Sequence, residues 1–128
     1  MTNGLVHARK LAQRGIPVYI PGGKFRIVTE AIIGEECVVA LLHYNFTKCF
    51  IGTNGISVTG GFSTPESSEA MVKSTAIERS RQAFILSDHS KFDQLTAVTF
   101  APLQAGTIIT DRLPDERYQD YTQIKEVM

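Results

Sequence analysis

The chain has 128 residues, 43% of them hydrophobic and 20% charged, with thirteen basic residues against thirteen acidic ones. That length suits one domain with a core of its own, and the composition is ordinary for a globular protein. A formal net charge of zero leaves out the basic stripe by which a domain grips nucleic-acid phosphates, and no apolar run approaches the roughly 18 residues that a membrane span needs.

The opening residues, MTNGLVHARK, lack the apolar core of a signal peptide, which points to the cytoplasm. Two cysteines, Cys37 and Cys49, are too few for a disulfide framework. Both stand in apolar surroundings and are expected to be buried thiols.

In chain order, Leu5, Ala8, Leu11 and Ala12 recur at helical spacing, with Thr2 or Asn3 placed to cap the start and Gly15 to end the helix ahead of Pro17. IPVYIPGG predicts a short buried strand closed by a tight turn. KFRIVTEAIIG is ambiguous and suits an extended arm. EECVVALLHYN predicts a helix with acidic residues at its positive end. FTKCFIG predicts a strand, followed by a long glycine-rich loop, TNGISVTGGFST. Thr64, Pro65 and Glu66 then open a helix running to about Gln82, with threonine as cap. AFILSD, AVTFAPL and GTIITD predict three further strands. Pro114 starts a last helix that carries Tyr118, Tyr121 and Ile124 on one face.

Strand and helix alternate at short spacing, which predicts an α/β domain over residues 1–128 with a largely parallel sheet. Ligands of such sheets bind beyond the carboxyl ends of the strands. The polar groups PGGK, GTNG, SDHSK and TD follow strands and are expected to rim one edge.

Several residues in these stretches have two readings. Gly22 and Gly23 form a plain turn or a close backbone approach to a ligand beside Lys24. Thr53, Asn54 and Gly55 make a common turn, since Asn-Gly tolerates positive φ, or the start of a binding loop. Lys73 shares a helix face with Ala70 and Ile77. It is either a surface partner of Glu69, four residues earlier, or a cation held near a ligand. Asp88 is placed to orient a sugar hydroxyl and Lys91 to neutralise a phosphate as a point charge. His89 is read as incidental, because nothing in the sequence places a carboxylate or nucleophile beside it. The three histidines share no metal-ligand spacing, so no metal site is expected, and no Walker loop, GxGxxG or Ser-His-Asp signature appears.

Together, TNGLVHARKLAQRGIPVYIPGGKFRIVTEAIIG, FIGTNGISVTGGFSTPESSEAMVKSTAI and LSDHSKFD with IITD resemble the C-terminal sensor domain of DeoR-type bacterial transcriptional repressors. The resemblance runs from residue 2 to about residue 117 and is nearest the branch of the fructose and lactose phosphotransferase-operon repressors. It implies the α/β fold of ribose-5-phosphate isomerase, glucosamine-6-phosphate deaminase and the CoA transferases, with helices on both faces of the sheet. It implies a phosphorylated sugar as effector, such as fructose-1-phosphate or tagatose-6-phosphate. It also implies no cofactor and no membrane, a homo-oligomer, and contact with DNA only through a domain outside these residues. By position it assigns effector contacts to Asn3, Gly22, Gly23, Lys24, Thr53, Asn54, Gly55, Glu69, Lys73, Asp88 and Lys91. Compared with the family pattern, the winged helix-turn-helix and the sensor domain's first strand, with its Asp-x-Gly-Thr-Thr type phosphate loop, are absent from these residues.

Two other functions compete with a sensor. A sugar-phosphate isomerase or deaminase on the same fold needs a general base, for which Glu69 or Asp88 would serve. A remnant that only oligomerises would use the face of Tyr118, Tyr121 and Ile124.

Overall fold

The structure, a computed structural model, describes residues 1–127. The chain divides into two compact units, the first spanning residues 1–44 and the second beginning at Asn45.

In the first unit, helix α1 (Leu5–Gln13) buries Ala8 on its inner face. The expected cap is not used. Gly4 occupies the N-cap without a side-chain bond, while the Thr2 hydroxyl accepts from the Gly4 amide and the Asn3 amide side chain donates to the Ile32 carbonyl. At the other end Gly15 takes φ +75°, and its amide and that of Arg14 return to the Ala12 and Leu11 carbonyls. This is the left-handed stop that glycine supplies without steric cost.

IPVYIPGG is not a strand: residues 16–22 have no ladder partner, and Ile16, Tyr19 and Ile20 are exposed. Pro17 and Pro21 lack the amide hydrogens a ladder needs. The ambiguous segment after it is a hairpin, β1 (Lys24–Arg26) against β2 (Ala31–Ile33), with Ile27 and Val28 at an exposed tip. Helix α2 (Glu35–Leu41) follows as expected, its two glutamates in the first turn and Cys37 and Leu41 buried.

The second unit is built on a four-stranded parallel sheet of β3 (Phe46–Gly52), β6 (Ser80–Ser87), β8 (Thr107–Thr110) and β9 (Ile124–Glu126), in the order β3-β6-β8-β9. A three-stranded antiparallel sheet, β4 (Gly55–Ser57), β5 (Gly61–Thr64) and β7 (Val98–Ala101), lies in the same unit. Helix α3 (Ser67–Glu78) packs on strands of both sheets. The core gathers Ile56, Phe62, Ile85, Phe100, Ile108 and Tyr118.

Four expectations are corrected here. The glycine-rich segment after β3 is the β4–β5 hairpin, not a loop; every residue of both strands is buried, so the alternation that reveals a half-exposed strand is missing. The cap of α3 is Glu66, whose carboxylate accepts from the Ser68 amide, whereas Thr64 is buried in β5. That helix ends at Glu78 with Arg79 as its C-cap, and Ser80 to Gln82 belong to β6. The segment after Pro114 forms only a short 3-10 turn, Glu116–Asp120, before β9. Of the three residues suggested for an oligomer face, Tyr118 is fully buried, Ile124 is partly buried and Tyr121 is exposed, so they form no common outer face. Cys37 is buried as expected, while Cys49 is only partly so; burial pushes both thiols upward in pKa.

Candidate functional site at the carboxyl edge of the parallel sheet

Parallel strands end together, so β3, β6 and β8 deliver their following residues to one edge. The register pairs Gly52 with Leu86 and Ser87 with Thr110. Thr53-Asn54-Gly55, Asp88 to Lys91, and Asp111 are therefore neighbours along that edge, as the sequence predicts for the second unit.

At the end of β3, the Thr53 hydroxyl is buried and bonds to the Gly55 and Ser63 carbonyls, at 2.8 and 3.2 Å. Asn54 is exposed, and its side-chain oxygen accepts from Thr64 Oγ1 at 3.1 Å. Neither Asn54 nor Gly55 has positive φ. Glycine is required at 55 for a different reason: a Cβ there would lie 2.4 Å from the Gln94 carbonyl oxygen and 2.7 Å from Ser63 Oγ. Thr53 and Gly55 thus hold the turn, and Asn54 is the member of the three that faces outward.

Lys73 reaches the same strand end from α3. Its ammonium donates to the Gly52 carbonyl at 2.8 Å and lies 5.3 Å from the centre of the Phe100 ring. Desolvation lowers its pKa, and the Glu69 carboxylate one turn earlier partly restores it. The helix thus carries this cation to the strand end, with Glu69 as its charge partner.

At the end of β6, Asp88 caps the 3-10 turn His89–Lys91, its Oδ1 accepting from the Ser90 amide and hydroxyl. Those bonds hold its carboxyl below the ordinary carboxylate range. Lys91 is partly exposed in the same turn.

His89 is not incidental. Its Nδ1 lies 2.8 Å from Asp111 Oδ2, and its backbone amide donates to Asp111 Oδ1 at 2.7 Å. Asp111 Oδ1 also accepts from the Arg112 amide and the Thr110 hydroxyl. The His89 side-chain bond, ahead of the other contacts, brings the Asp111 carboxyl down to about 2. Sequence reading missed this pair because residues 89 and 111 meet only through the β6–β8 register. The signal was present in the IITD stretch, whose aspartate ends a strand.

The depressed pKa of Asp111 fixes the sign of a pH effect. Its contribution to stability is complete above the unfolded-state value of about 3.9 and is lost as pH falls through about 2. Asp111→Asn is therefore expected to lower stability at pH 5 and to approach the parent protein near pH 2. Urea denaturation across that range checks it, and parallel curves at all pH values would refute it.

The first unit holds the remaining predicted residues. Asn3 and Ile32 exchange two bonds, side-chain amide to carbonyl at 2.9 Å and Ile32 amide to Asn3 carbonyl at 2.7 Å. Gly23 has φ +143°, and a Cβ there would meet the Ile33 carbonyl at 2.6 Å. Gly22 and Lys24 are exposed beside it at the start of β1. Asn3 and the Gly-Gly-Lys turn are thus both fastened to β2.

Residues 1–112 match the family model described as the DeoR C terminal sensor domain. The chain belongs to this family. Among relatives of the DeoR sensor domain, the HTH-type transcriptional regulator FruR of Bacillus subtilis is 39% identical over 99% of this chain and 52% of its own length. The HTH-type transcriptional repressor GlcR of the same species is 32% identical over 94% of this chain and 47% of its own. The lactose phosphotransferase system repressor of Staphylococcus aureus is 30% identical over 77% of this chain and 39% of its own. The chain thus spans about half the length of the curated relatives it matches, or less. The DeoR sensor family is one of transcription regulators, and the α/β architecture with its parallel four-stranded sheet agrees with it. No helix among the described residues is long and apolar enough to cross a membrane.

Proposed function

We propose that residues 1–128 act as one ligand-sensing domain of a sugar-catabolic transcription regulator and bind a phosphorylated sugar, with fructose-1-phosphate and tagatose-6-phosphate as leading effectors. The observation that carries this reading is the convergence of Asn54, Lys73, Asp88, His89 and Lys91 on the carboxyl edge of the parallel sheet. That edge is where open α/β sheets bind ligands, and it combines cations with hydrogen-bonding groups for hydroxyls. The lactose phosphotransferase repressor among the relatives supports the choice of sugar class. In the first unit, Gly22, Gly23 and Lys24 are the candidate backbone and cation contacts.

Sensing then works through a difference in effector affinity between two states of a homo-oligomeric regulator, and DNA is contacted by a helix-turn-helix part rather than by these residues. Cytoplasmic residence follows from that role.

A thermal-shift titration against phosphorylated sugars, with free sugars and inorganic phosphate as controls, tests the reading. A ligand that binds only the folded state raises its stability by RT ln(1 + [L]/Kd). A shift confined to one phosphorylated sugar supports the proposal, and no shift with any refutes it. Lys91→Ala is expected to weaken effector binding by about 1.5–3 kcal/mol, the range for a hydrogen bond to a charged group. Calorimetric titration of the variant checks this, and an unchanged affinity removes Lys91 from the site.

The oriented imidazole of His89 favours a second reading, a sugar-phosphate isomerase or deaminase, since a carboxylate-held histidine is a common general base. Turnover of any sugar phosphate by the purified chain would select it.

A further inference from the structure

We propose that His89, positioned by Asp111, reads a hydroxyl of the bound sugar together with the outer oxygen of Asp88, which puts the hydroxyl end of the effector at β6 and β8 and its phosphoryl group elsewhere. The inference rests on the sensor reading above and adds an orientation to it.

The bonding pattern gives each group a definite role. Asp111, held ionised, can only accept, so the bond at 2.8 Å requires the hydrogen to sit on His89 Nδ1. In the neutral ring that leaves Nε2 as a lone-pair acceptor. Asp111 Oδ1 is fully engaged by the amides of His89 and Arg112 and by the Thr110 hydroxyl. Asp111 therefore serves as a positioning residue, fixing both the backbone and the ring of His89. Asp88 is divided in the same way: Oδ1 is taken by Ser90, and Oδ2 has no partner among the described residues. The His89 and Asp111 side chains are 44% and 50% exposed, so Nε2 is not sealed in the core.

With the ring neutral, Asp88 Oδ2 and His89 Nε2 are two acceptors on adjacent residues at one strand end. Two acceptors suit two hydroxyl donors on a sugar. They do not suit a phosphoryl dianion, which has no proton to donate and would face both carboxylates. Asp111 lies against the ring and Asp88 is its chain neighbour, and two carboxylates disfavour an anion there. Lys73 reaches the same edge at the end of β3, where it meets Gly52 and Phe100.

The test uses the whole chain, labelled with nitrogen-15 at histidine, and fructose-1-phosphate, fructose-6-phosphate, tagatose-6-phosphate and inorganic phosphate as probes. Binding of a sugar phosphate is expected to move the His89 Nε2 resonance, and inorganic phosphate is expected to leave it in place. His89→Asn keeps a donor near the position of Nδ1 for Asp111 but has no Nε2. It should bind the same sugar phosphate about tenfold more weakly with its melting temperature unchanged. The proposal is overturned if the sugar phosphate binds without moving Nε2, if inorganic phosphate alone reproduces the shift, or if His89→Asn binds as the parent does. A parent chain that binds none of the sugar phosphates overturns the sensor reading, and this orientation falls with it.

Discussion

Tyr118→Ala is expected to cost about 3–5 kcal/mol of folding stability, the range for removing a buried aromatic ring. Tyr118 is the largest fully buried side chain among the described residues, although it sits in a short 3-10 turn rather than in a strand or long helix. Its ring meets Phe92 edge-on, with centroids 5.0 Å apart. Its hydroxyl bonds to Asp93 Oδ1 at 2.7 Å and the Ile56 carbonyl at 3.2 Å, so it joins the segment after β6 to strand β4. Burial and the Asp93 bond push the phenol up to about 12. Tyr118→Phe keeps the ring and should cost only about 0.5–1.5 kcal/mol, the net worth of a typical hydrogen bond. Urea denaturation of both variants checks the split. Equal losses would mean that the hydroxyl, not the ring, holds this corner.

Gly61→Ala should cost about 2–5 kcal/mol, adding a left-handed backbone penalty of about 1–2 kcal/mol to overpacking of about 1–3 kcal/mol. Gly61 has φ +65°, and a Cβ there would lie 2.4 Å from the Ala101 carbonyl oxygen of the adjacent strand. Gly15 is the internal control. Its φ is +75°, but nothing lies within 4 Å of the Cβ position, so Gly15→Ala should lose only the backbone part. If both substitutions cost the same, the β5–β7 pair yields to the methyl group and the close approach is unimportant.

The parallel sheet was legible in the sequence because β3, β6 and β8 are apolar or alternating runs stopped by polar strand ends. The edge they form in the second unit follows from their common direction, so the positions of Asn54, Asp88 and Lys91 at strand ends were legible in advance, whereas Lys73 reaches that edge from α3. The β4–β5 hairpin was not, since Ile56 and Phe62 stand among small residues and glycines that read as loop, and only burial on every side makes them strands. Pro114 suggested a helix start, yet the chain is drawn instead into pairing with β8, where Ile108 meets Ile124. Asp111 escaped for a similar reason. Its partner lies on another strand, and spacing within one segment carries no trace of a contact made through register.

The all-parallel order of the main sheet also bears on how fast the chain reaches this structure. Phe46 pairs with Ser80, Phe84 with Thr107 and Ile108 with Ile124, so no neighbouring strands of that sheet join through a tight turn. The β4–β5 hairpin can close on the timescale of about 1–10 μs, but each parallel pairing must first bring distant stretches together at an entropic cost. Assembly of the carboxyl edge, which needs β3, β6 and β8 in register at once, is thus expected to come late and slowly in folding, on the order of milliseconds to seconds.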